Sequence, residues 1–343
     1  MNDIYSEFKK LRKTVKNIIS VNNKEWYSLM KNEIRNSIAI EGIFADRNDL
    51  IKVLEKNKKT KGQVSAAILG YFEAASFSYE YANNLYNQNE FSLRLSDIKQ
   101  IHSLLMRYEK KEGYYKGELG NFRKENVEVF NSTFTPLNYI FLNDVMNTYV
   151  KWINNNLKLK NTEIIKFIAK SHLLFETIHP FRDGNGRVGR ILLCYLLIGA
   201  GYINIAIKGV RKKEREIYYN IMEKEDNMFE DMLRLFEKGE KSNLRTFEKF
   251  SRMTDSSSLE KLINASLSES FLQFQNKRTY EYRPETYIPL LEASALYNYS
   301  SDYLRNLINK GKLPAIRKGK KWYIKISDLE SYIKKIERKY LTL

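Results

Sequence analysis

The chain has 343 residues and a formal net charge of +17, and at roughly 150 residues per domain this length predicts two or three domains. Its 24 Tyr, 18 Phe and 3 Trp exclude a disordered chain, and only 15 Gly and 5 Pro exclude a collagen-like or low-complexity one. A single cysteine, Cys194, excludes an internal disulfide and a thiolate zinc site, which favours a cytoplasmic location. No apolar run is long enough for a membrane span, so no membrane partner is expected.

Apolar residues recur at helical spacing along most of the chain, which predicts a mainly α fold. The region between residues 117 and 136 differs, since two glycines and the alternation around Val127 and Val129 predict a short strand or β-hairpin arm. The Ser-rich stretch 251–270 predicts a hinge or a polar connecting helix. The predicted helices cover residues 26–40, 63–87, 96–108 (with Ser96 as N-cap), 162–177, 187–197 and 214–236.

A separate small domain is predicted near the C-terminus. Two short helices, the second capped by Ser301, precede a two-stranded wing that turns at Gly319, and a last helix begins at Ser327. Residues 277–343 contain 15 Lys and Arg against 7 Asp and Glu. This local excess of positive charge favours an anionic partner.

The most informative stretch is His-Pro-Phe-Arg-Asp-Gly-Asn-Gly-Arg-Val-Gly-Arg at residues 179–190, which joins two predicted apolar helices. Gly184 and Gly186 leave backbone N–H groups open to an anion at the positive N-terminal end of the following helix. Arg187 and Arg190 are three residues apart, so both lie near one face of its first turn and can meet phosphate oxygens.

Two further side chains of this loop carry chemistry. Asp183 supplies a hard oxygen ligand for Mg²⁺ bound to phosphates, and His179 can accept a proton near neutral pH. A base, a metal ligand, an anion site and two arginines together predict phosphoryl or nucleotidyl transfer. The other histidines, His102 and His172, are predicted to be ordinary helix residues.

The loop resembles the signature of the Fic family, His-x-Phe-x-Asp/Glu-Gly-Asn-Gly-Arg-x-x-Arg, at every defined position, and the resemblance extends over roughly residues 30–240. It implies a Fic-type helical core with a short β-hairpin flap. It also implies transfer of AMP from ATP to a Ser, Thr or Tyr hydroxyl of a target protein, with Mg²⁺ as the metal.

The resemblance implies a role for each matching residue. His179 would deprotonate the target hydroxyl, whose oxygen attacks the α-phosphorus, and Asp183 would hold Mg²⁺. The other implied roles are phosphate binding, adenine contact and clamping of the target by the flap. The residues implied in phosphate binding are Gly184, Asn185, Gly186, Arg187 and Arg190. Tyr219 would contact the adenine, and Arg123, Val127 and Val129 would belong to the flap that clamps the target.

A second motif, Ser37-Ile-Ala-Ile-Glu41-Gly42, precedes the core. Ser37 and Glu41 share a helix face, and Gly42 fits a helix end. The motif resembles the inhibitory motif of Fic proteins, Ser/Thr-x-x-x-Glu-Gly/Asn. The resemblance implies that Glu41 pairs with Arg190, takes the place of the γ-phosphate and forces ATP into an unproductive pose. In some members the same Glu positions a water that removes AMP from the target, so deAMPylation by Glu41 stays open.

Residues 287–337 resemble the excisionase-like winged helix-turn-helix domains. The resemblance implies that the wing tip meets DNA phosphates while the second helix enters a major groove. A protein-interaction or dimerisation module on the same fold is the alternative. The candidate DNA contacts are Ser301 and Arg305 on the helix and Arg317, Lys318, Lys320 and Lys321 on the wing.

These predictions divide the chain into four parts. Residues 1–95 form an N-terminal helical region with the inhibitory helix, 96–250 the Fic core, 251–284 a linker or connecting helix, and 285–343 the winged helix-turn-helix domain. The leading function is an autoinhibited protein adenylyltransferase, and the alternatives are a deAMPylase and a DNA-bound regulator whose Fic core senses nucleotide. The expected partners are ATP, a target protein and duplex DNA, and a homodimer stays open.

Overall fold

The computed structural model describes residues 4–15, 17–55, 62–128, 135–225, 227–281, 285–297, 299–319 and 321–341. Within these ranges the chain is mainly helical, as the sequence predicts, and strands occur only in one small antiparallel sheet near the C-terminus. None of the described helices combines the length and the apolarity that crossing a membrane requires.

The N-terminal helices carry buried apolar faces at helical spacing. Helix α2 shows the pattern: Asn23 caps it by accepting from the Trp26 N–H at 3.1 Å, and Trp26, Leu29, Ile34 and Ile38 are buried along one side. The bounds are α1 Ile4–Thr14, α2 Lys24–Ile40, α3 Arg47–Leu54, α4 Gln63–Gln88 and α5 Leu95–Lys111.

Helices α7 and α8 form the centre of the main core, and almost every residue of α8 is buried. Helix α8 packs against α4, α5 and α7. The loop between α7 and α8 is therefore held from several sides. The bounds of the following helices are α6 Leu142–Asn156, α7 Asn161–Ile178, α8 Asn185–Gly199, α9 Lys212–Glu225, α10 Asn227–Glu237, α11 Leu244–Met253 and α12 Ser257–Glu281.

The C-terminal residues form a second apolar cluster, which includes Ile288, Leu304, Leu313, Ile324 and Leu329. Strand β3 lies between β1 and β2, antiparallel to both. The bounds are β1 Tyr287–Pro289, α13 Leu290–Leu296, α14 Ser301–Asn309, β2 Ile316–Lys318, β3 Lys321–Lys325 and α15 Ile326–Leu341. The predicted wing is thus present as β2 and β3, and β1 is an addition that the sequence did not predict.

Two predicted helix caps need correction. Ser96 is not an N-cap, because α5 begins at Leu95 and the Asp97 carboxylate accepts from the Arg94 N–H at 2.8 Å. Ser301 is the first residue of α14, and the hydroxyl of Ser300 before it accepts from the Tyr303 N–H at 3.1 Å. The helix predicted over 214–236 is observed as α9 and α10, with residue 226 between them outside the described residues.

The strand predicted around Val127 and Val129 falls largely outside the described residues, which end at residue 128 and resume at residue 135. The backbone of this segment bonds irregularly: the Arg123 N–H donates to the Pro180 carbonyl at 3.0 Å.

Candidate active site

His179 ends α7 in an unusual backbone conformation. It is the C-cap residue, with φ of +52°, and its N–H donates to the Phe175 carbonyl at 3.1 Å. Nδ1 lies 3.3 Å from the Glu176 carbonyl, so when Nδ1–H donates there, Nε2 is the basic nitrogen. Burial lowers the pKa of His179 to about 4, which keeps the imidazole neutral at physiological pH.

The N-terminus of α8 faces the same site. Gly184 is the N-cap, and the first intrahelical bond runs from the Val188 N–H to the Gly184 carbonyl at 2.9 Å. The N–H groups of residues 185–187 thus precede the regular bonding pattern and form a site for anions. Asn185 contributes in a way the sequence did not predict: its side-chain amide bonds both the N–H and the carbonyl of Phe181, each at 2.8 Å, and so fixes the loop.

Asp183 is exposed beside this helix end, and its Oδ1 accepts from the Gly184 N–H at 2.5 Å. Among the described residues no three His, Cys, Asp or Glu side chains cluster as a metal site. A single exposed carboxylate fits Mg²⁺ that takes its other ligands from phosphates and water, as this ion commonly does.

Arg190 is buried and held by Ser37 and Glu41. Its Nε donates to the Ser37 hydroxyl at 2.8 Å, and its Nη2 donates to the Ser37 carbonyl at 3.0 Å and to Glu41 Oε1 at 2.6 Å. Burial would raise the pKa of Glu41, but the charges of Arg190 and Arg187 outweigh it and hold the pKa below its ordinary value. The Glu41 side chain is 33% exposed, whereas that of Arg190 is 4% exposed. The pair is therefore ionised, and its acidic member is reachable from solvent.

The Glu41 carboxylate also touches the start of α8. A Cβ added to Gly186 would lie 2.5 Å from Glu41 Oε1 and 3.1 Å from Arg190 Nη1. Only a residue without a side chain leaves room there for the carboxylate. Gly42, next along the chain, has φ of +78° and ends the turn that follows α2.

Arg187, which the sequence assigned to phosphate binding, is buried. Its guanidinium forms a buried ion pair with Glu109 of α5, and Nη2 contacts Met106 Sδ at 3.5 Å. In this arrangement Arg187 fastens α8 to α5, while Arg190 is the arginine that faces the inhibitory motif. Glu109 lies 78 residues before Arg187, and no sequence signal singled it out.

Arg123 was predicted to lie in the target-binding flap. Its Nε donates to the His179 carbonyl at 2.9 Å and its Nη1 to the Glu125 carbonyl at 2.9 Å, and Nη2 bonds the Leu137 carbonyl. Its side chain therefore supports the backbone of the site. Val127 is partly exposed nearby.

The aromatic residues of α9 lie beside the inhibitory motif. Tyr219 is 48% exposed, and its hydroxyl donates to the Ile40 carbonyl at the end of α2. Tyr218 is buried under Arg190, and its hydroxyl lies 2.8 Å from His172 Nε2. Tyr219, which the resemblance assigned to adenine contact, thus lies next to the end of α2. His172 is buried beneath Arg190 through its contact with Tyr218.

The predicted DNA-contacting residues lie on the C-terminal domain. Arg305 is exposed and pairs with Asp302 at 3.3 Å. Arg317, Lys318 and Lys321 are exposed on the two wing strands, and Lys320 lies outside the described residues. Ser301 is partly exposed at the start of α14.

Comparison with known proteins finds matches for two regions of the chain. The sequence profile of the Fic/DOC family matches residues 92–197, and that of a helix-turn-helix domain matches residues 292–336. A probable protein adenylyltransferase of Aquifex aeolicus is 27% identical over 316 residues, 91% of this chain and 88% of that protein. The protein adenylyltransferase Fic of Aedes aegypti is 31% identical over 195 residues, 55% of this chain, and the match spans 36% of that longer protein.

Solved structures agree on the fold. A Fic domain containing signaling protein from Bacteroides thetaiotaomicron aligns with a TM-score of 0.57 and 20% identity, covering 78% of this chain and 94% of that one. A Fic family protein from Desulfovibrio desulfuricans aligns with a TM-score of 0.50 and 16% identity over 94% of each chain. The loop at 179–190 lies inside the matched region, so the chain contains a Fic/DOC domain and, near its C-terminus, a helix-turn-helix domain.

Proposed function

We propose that this chain is an autoinhibited protein adenylyltransferase, which transfers AMP from ATP to a Ser, Thr or Tyr hydroxyl of a target protein. The observation that carries the proposal is the contact of Glu41 and Ser37 with Arg190 of α8, the helix that follows the loop beginning at His179. The named adenylyltransferases among the relatives support the reaction.

The reaction uses the groups of this loop in turn. His179 Nε2 takes the proton of the target hydroxyl, and that oxygen forms a bond to the α-phosphorus while the bond to the bridging oxygen breaks and pyrophosphate leaves. The N–H groups at the start of α8 hold phosphate oxygens. Asp183 would hold Mg²⁺, which supplies charge neutralisation on the phosphates when bound.

The inhibitory motif acts on the same geometry. While Glu41 holds Arg190, a negative carboxylate occupies the place beside Gly186 where the γ-phosphate would need to bind. ATP then meets repulsion in its productive pose. Displacement of Glu41 frees Arg190 for the γ-phosphate.

The test is transfer of label from α-labelled ATP to protein by purified wild type and three variants. We expect Glu41→Gly to label itself or a target more strongly than wild type, because Arg190 is released. Glu41→Gly/His179→Ala should lose about 10²–10⁴-fold in rate while still binding ATP, since the general base is gone but the phosphate site remains. Glu41→Gly/Arg190→Ala should also lose rate.

Two results decide against the proposal. Equal labelling by folded Glu41→Gly and wild type would contradict the inhibitory role of Glu41. Undiminished labelling by Glu41→Gly/His179→Ala would remove His179 as the base. Release of AMP from a pre-modified target by wild type would instead favour the reverse reaction.

A further inference from the structure

Helix α5 supports the catalytic loop through a row of close contacts. A Cβ on Gly120, which has φ of +70°, would lie 2.9 Å from the Lys99 carbonyl, and one on Gly184 would lie 2.8 Å from Met106 Sδ. Glu109 holds Arg187 at the far end of the row. One face of α5 thus contacts both the loop and the segment that begins at residue 117.

His102 stands in the middle of this row and is completely buried. Its ring lies flat on Phe181 of the loop, with centroids 3.9 Å apart and planes 5° apart. Its Nδ1 accepts from the Gly120 N–H at 2.9 Å, and its Nε2 lies 3.3 Å from the Asp183 carbonyl. One imidazole therefore touches residues 120, 181 and 183.

The two bonds fix the form of the ring. An N–H donor at Gly120 requires a lone pair on Nδ1, and a carbonyl acceptor at Asp183 requires a proton on Nε2. Only the neutral Nε2–H tautomer satisfies both at once. Burial, which lowers the pKa of His102 to about 4, is consistent with that form.

We propose that His102 is a positioning residue that ties residues 117–128, the flap segment, to the metal-binding end of the catalytic loop. This proposal rests on the proposed function, which assigns Mg²⁺ binding to Asp183 and target binding to the flap segment. The bond to the Asp183 carbonyl sets where that residue presents its carboxylate, and the bond to Gly120 sets where the flap segment begins. A shift at either end then changes the other through a single rigid ring.

The experiment separates the two bonds with three substitutions in the Glu41→Gly background. His102→Phe keeps a ring to stack on Phe181 and removes both bonds. His102→Asn places an acceptor near the position of Nδ1, and His102→Gln places a donor near that of Nε2. Leu104→Ala, a packing loss on α5 at a partly buried position outside this row, is the control.

Two readouts that do not depend on transfer are measured. One is Mn²⁺ affinity in the presence of ADP, by electron paramagnetic resonance, and the other is amide hydrogen exchange of the flap segment and of residues 180–184. We expect His102→Phe to weaken Mn²⁺ binding roughly three- to tenfold, the range for a lost hydrogen bond, and to speed exchange in both segments. His102→Asn should mainly weaken Mn²⁺ binding, and His102→Gln should mainly loosen the flap segment.

The outcomes separate this proposal from the proposed function. If His102→Phe leaves Mn²⁺ affinity and both exchange rates as in the Glu41→Gly parent, or if Leu104→Ala changes them equally, the positioning role is wrong. If His102→Phe does not fold, the Asn and Gln variants decide it by whether their effects split as described. If Glu41→Gly itself transfers no AMP, that result counts against the proposed adenylyltransferase activity. The comparison of amide hydrogen exchange between the His102 variants and their parent stays valid.

Discussion

Glu33 is a buried carboxylate on α2, the helix that also carries Ser37. It lies two turns before Glu41 on the same helix and is only 2% exposed. Its carboxylate accepts from the hydroxyls of Tyr71 at 2.9 Å and Tyr79 at 2.5 Å and from the Asn204 amide at 2.7 Å. Burial outweighs these bonds and raises the pKa of Glu33 from 4.5 to about 7.

This pKa predicts a pH dependence of stability. The folded protein binds the Glu33 proton more tightly than the unfolded chain does, so the contribution of this group is present at low pH and is lost as the pH rises from about 4.5 to about 7. Each pH unit in this range lowers the free energy of unfolding by about 1.4 kcal/mol, so the total decrease is up to about 3 kcal/mol. Glu33→Gln does not titrate, so it should become more stable relative to wild type between pH 5 and pH 8.

Chemical denaturation of the two proteins at both pH values measures this difference. All other titrating groups are common to both, so their effects cancel in the comparison. An equal change with pH in wild type and Glu33→Gln would show that Glu33 does not titrate in this range.

At the scale of elements, α12 illustrates how a Ser-rich stretch becomes part of the core. Leu259, Ile263 and Leu267 follow each other at four-residue spacing and are fully buried. The Glu225 carboxylate accepts from the Ser258 N–H at 2.7 Å and caps the helix from α9. Of the region 251–270, for which a hinge or a polar connecting helix was predicted, residues 257–270 are helical as part of α12, which packs against α2 and α7, while 251–253 end α11.

We therefore expect Leu267→Ala to destabilise the protein by about 2–5 kcal/mol, because it leaves a cavity against the core. Leu272→Ala, on the same helix at a side chain that is 52% exposed, is the matched control and should change stability by less than about 0.5 kcal/mol. Thermal and denaturant unfolding measure both. Similar small effects of the two substitutions would mean that α12 contributes little to the core.

Local patterns predicted the helices well and the distant contacts poorly. The apolar spacing of α7 placed its ends within one residue of Asn161 and Ile178, because helical periodicity is a property of the segment itself. The partners of Arg187 and His102 depend on how α5 packs against the loop, which no local pattern contains. His102 was accordingly predicted to be an ordinary helix residue, although the structure places it between Gly120 and Asp183.

At the scale of the whole molecule, the C-terminal domain contacts α3 of the main core. The Arg47 guanidinium donates to the Tyr297 carbonyl at 2.5 Å and lies over the Tyr299 ring at 3.7 Å. Tyr299 in turn stacks on Tyr303 of α14, with ring centroids 5.3 Å apart. The helix that we expect to contact DNA is therefore joined to the main core through aromatic side chains.

The exposed wing predicts salt-dependent binding of duplex DNA. If Lys318 and Lys321 each contact a phosphate, changing both to Ala should lower the slope of log K against log salt by about 1.8, and weaken binding to all sequences alike. Lys158→Ala/Lys160→Ala removes the same charge from exposed positions in the main core and is the control. Fluorescence anisotropy at several salt concentrations gives the slopes.

Three outcomes are informative here. A changed slope for the wing variant alone supports the DNA contact. If both variants change the slope of log K against log salt equally, the salt dependence reflects net charge. If wild type has no measurable affinity for DNA, the C-terminal domain is better explained as a protein-interaction module.

The crowding of Gly186 against Glu41 has a genetic consequence. The loop residues that seat the inhibitory carboxylate are the residues that we assign to the phosphates, so a substitution there damages inhibition and activity together. Among the described residues, Ser37 of α2 and Glu41 directly after it contact Arg190 without being assigned to the phosphates, so their loss should affect the proposed inhibition alone. In a selection for unrestrained variants, changes should therefore concentrate in a single short stretch of the gene, and reversion of such variants by second-site changes should map to the loop.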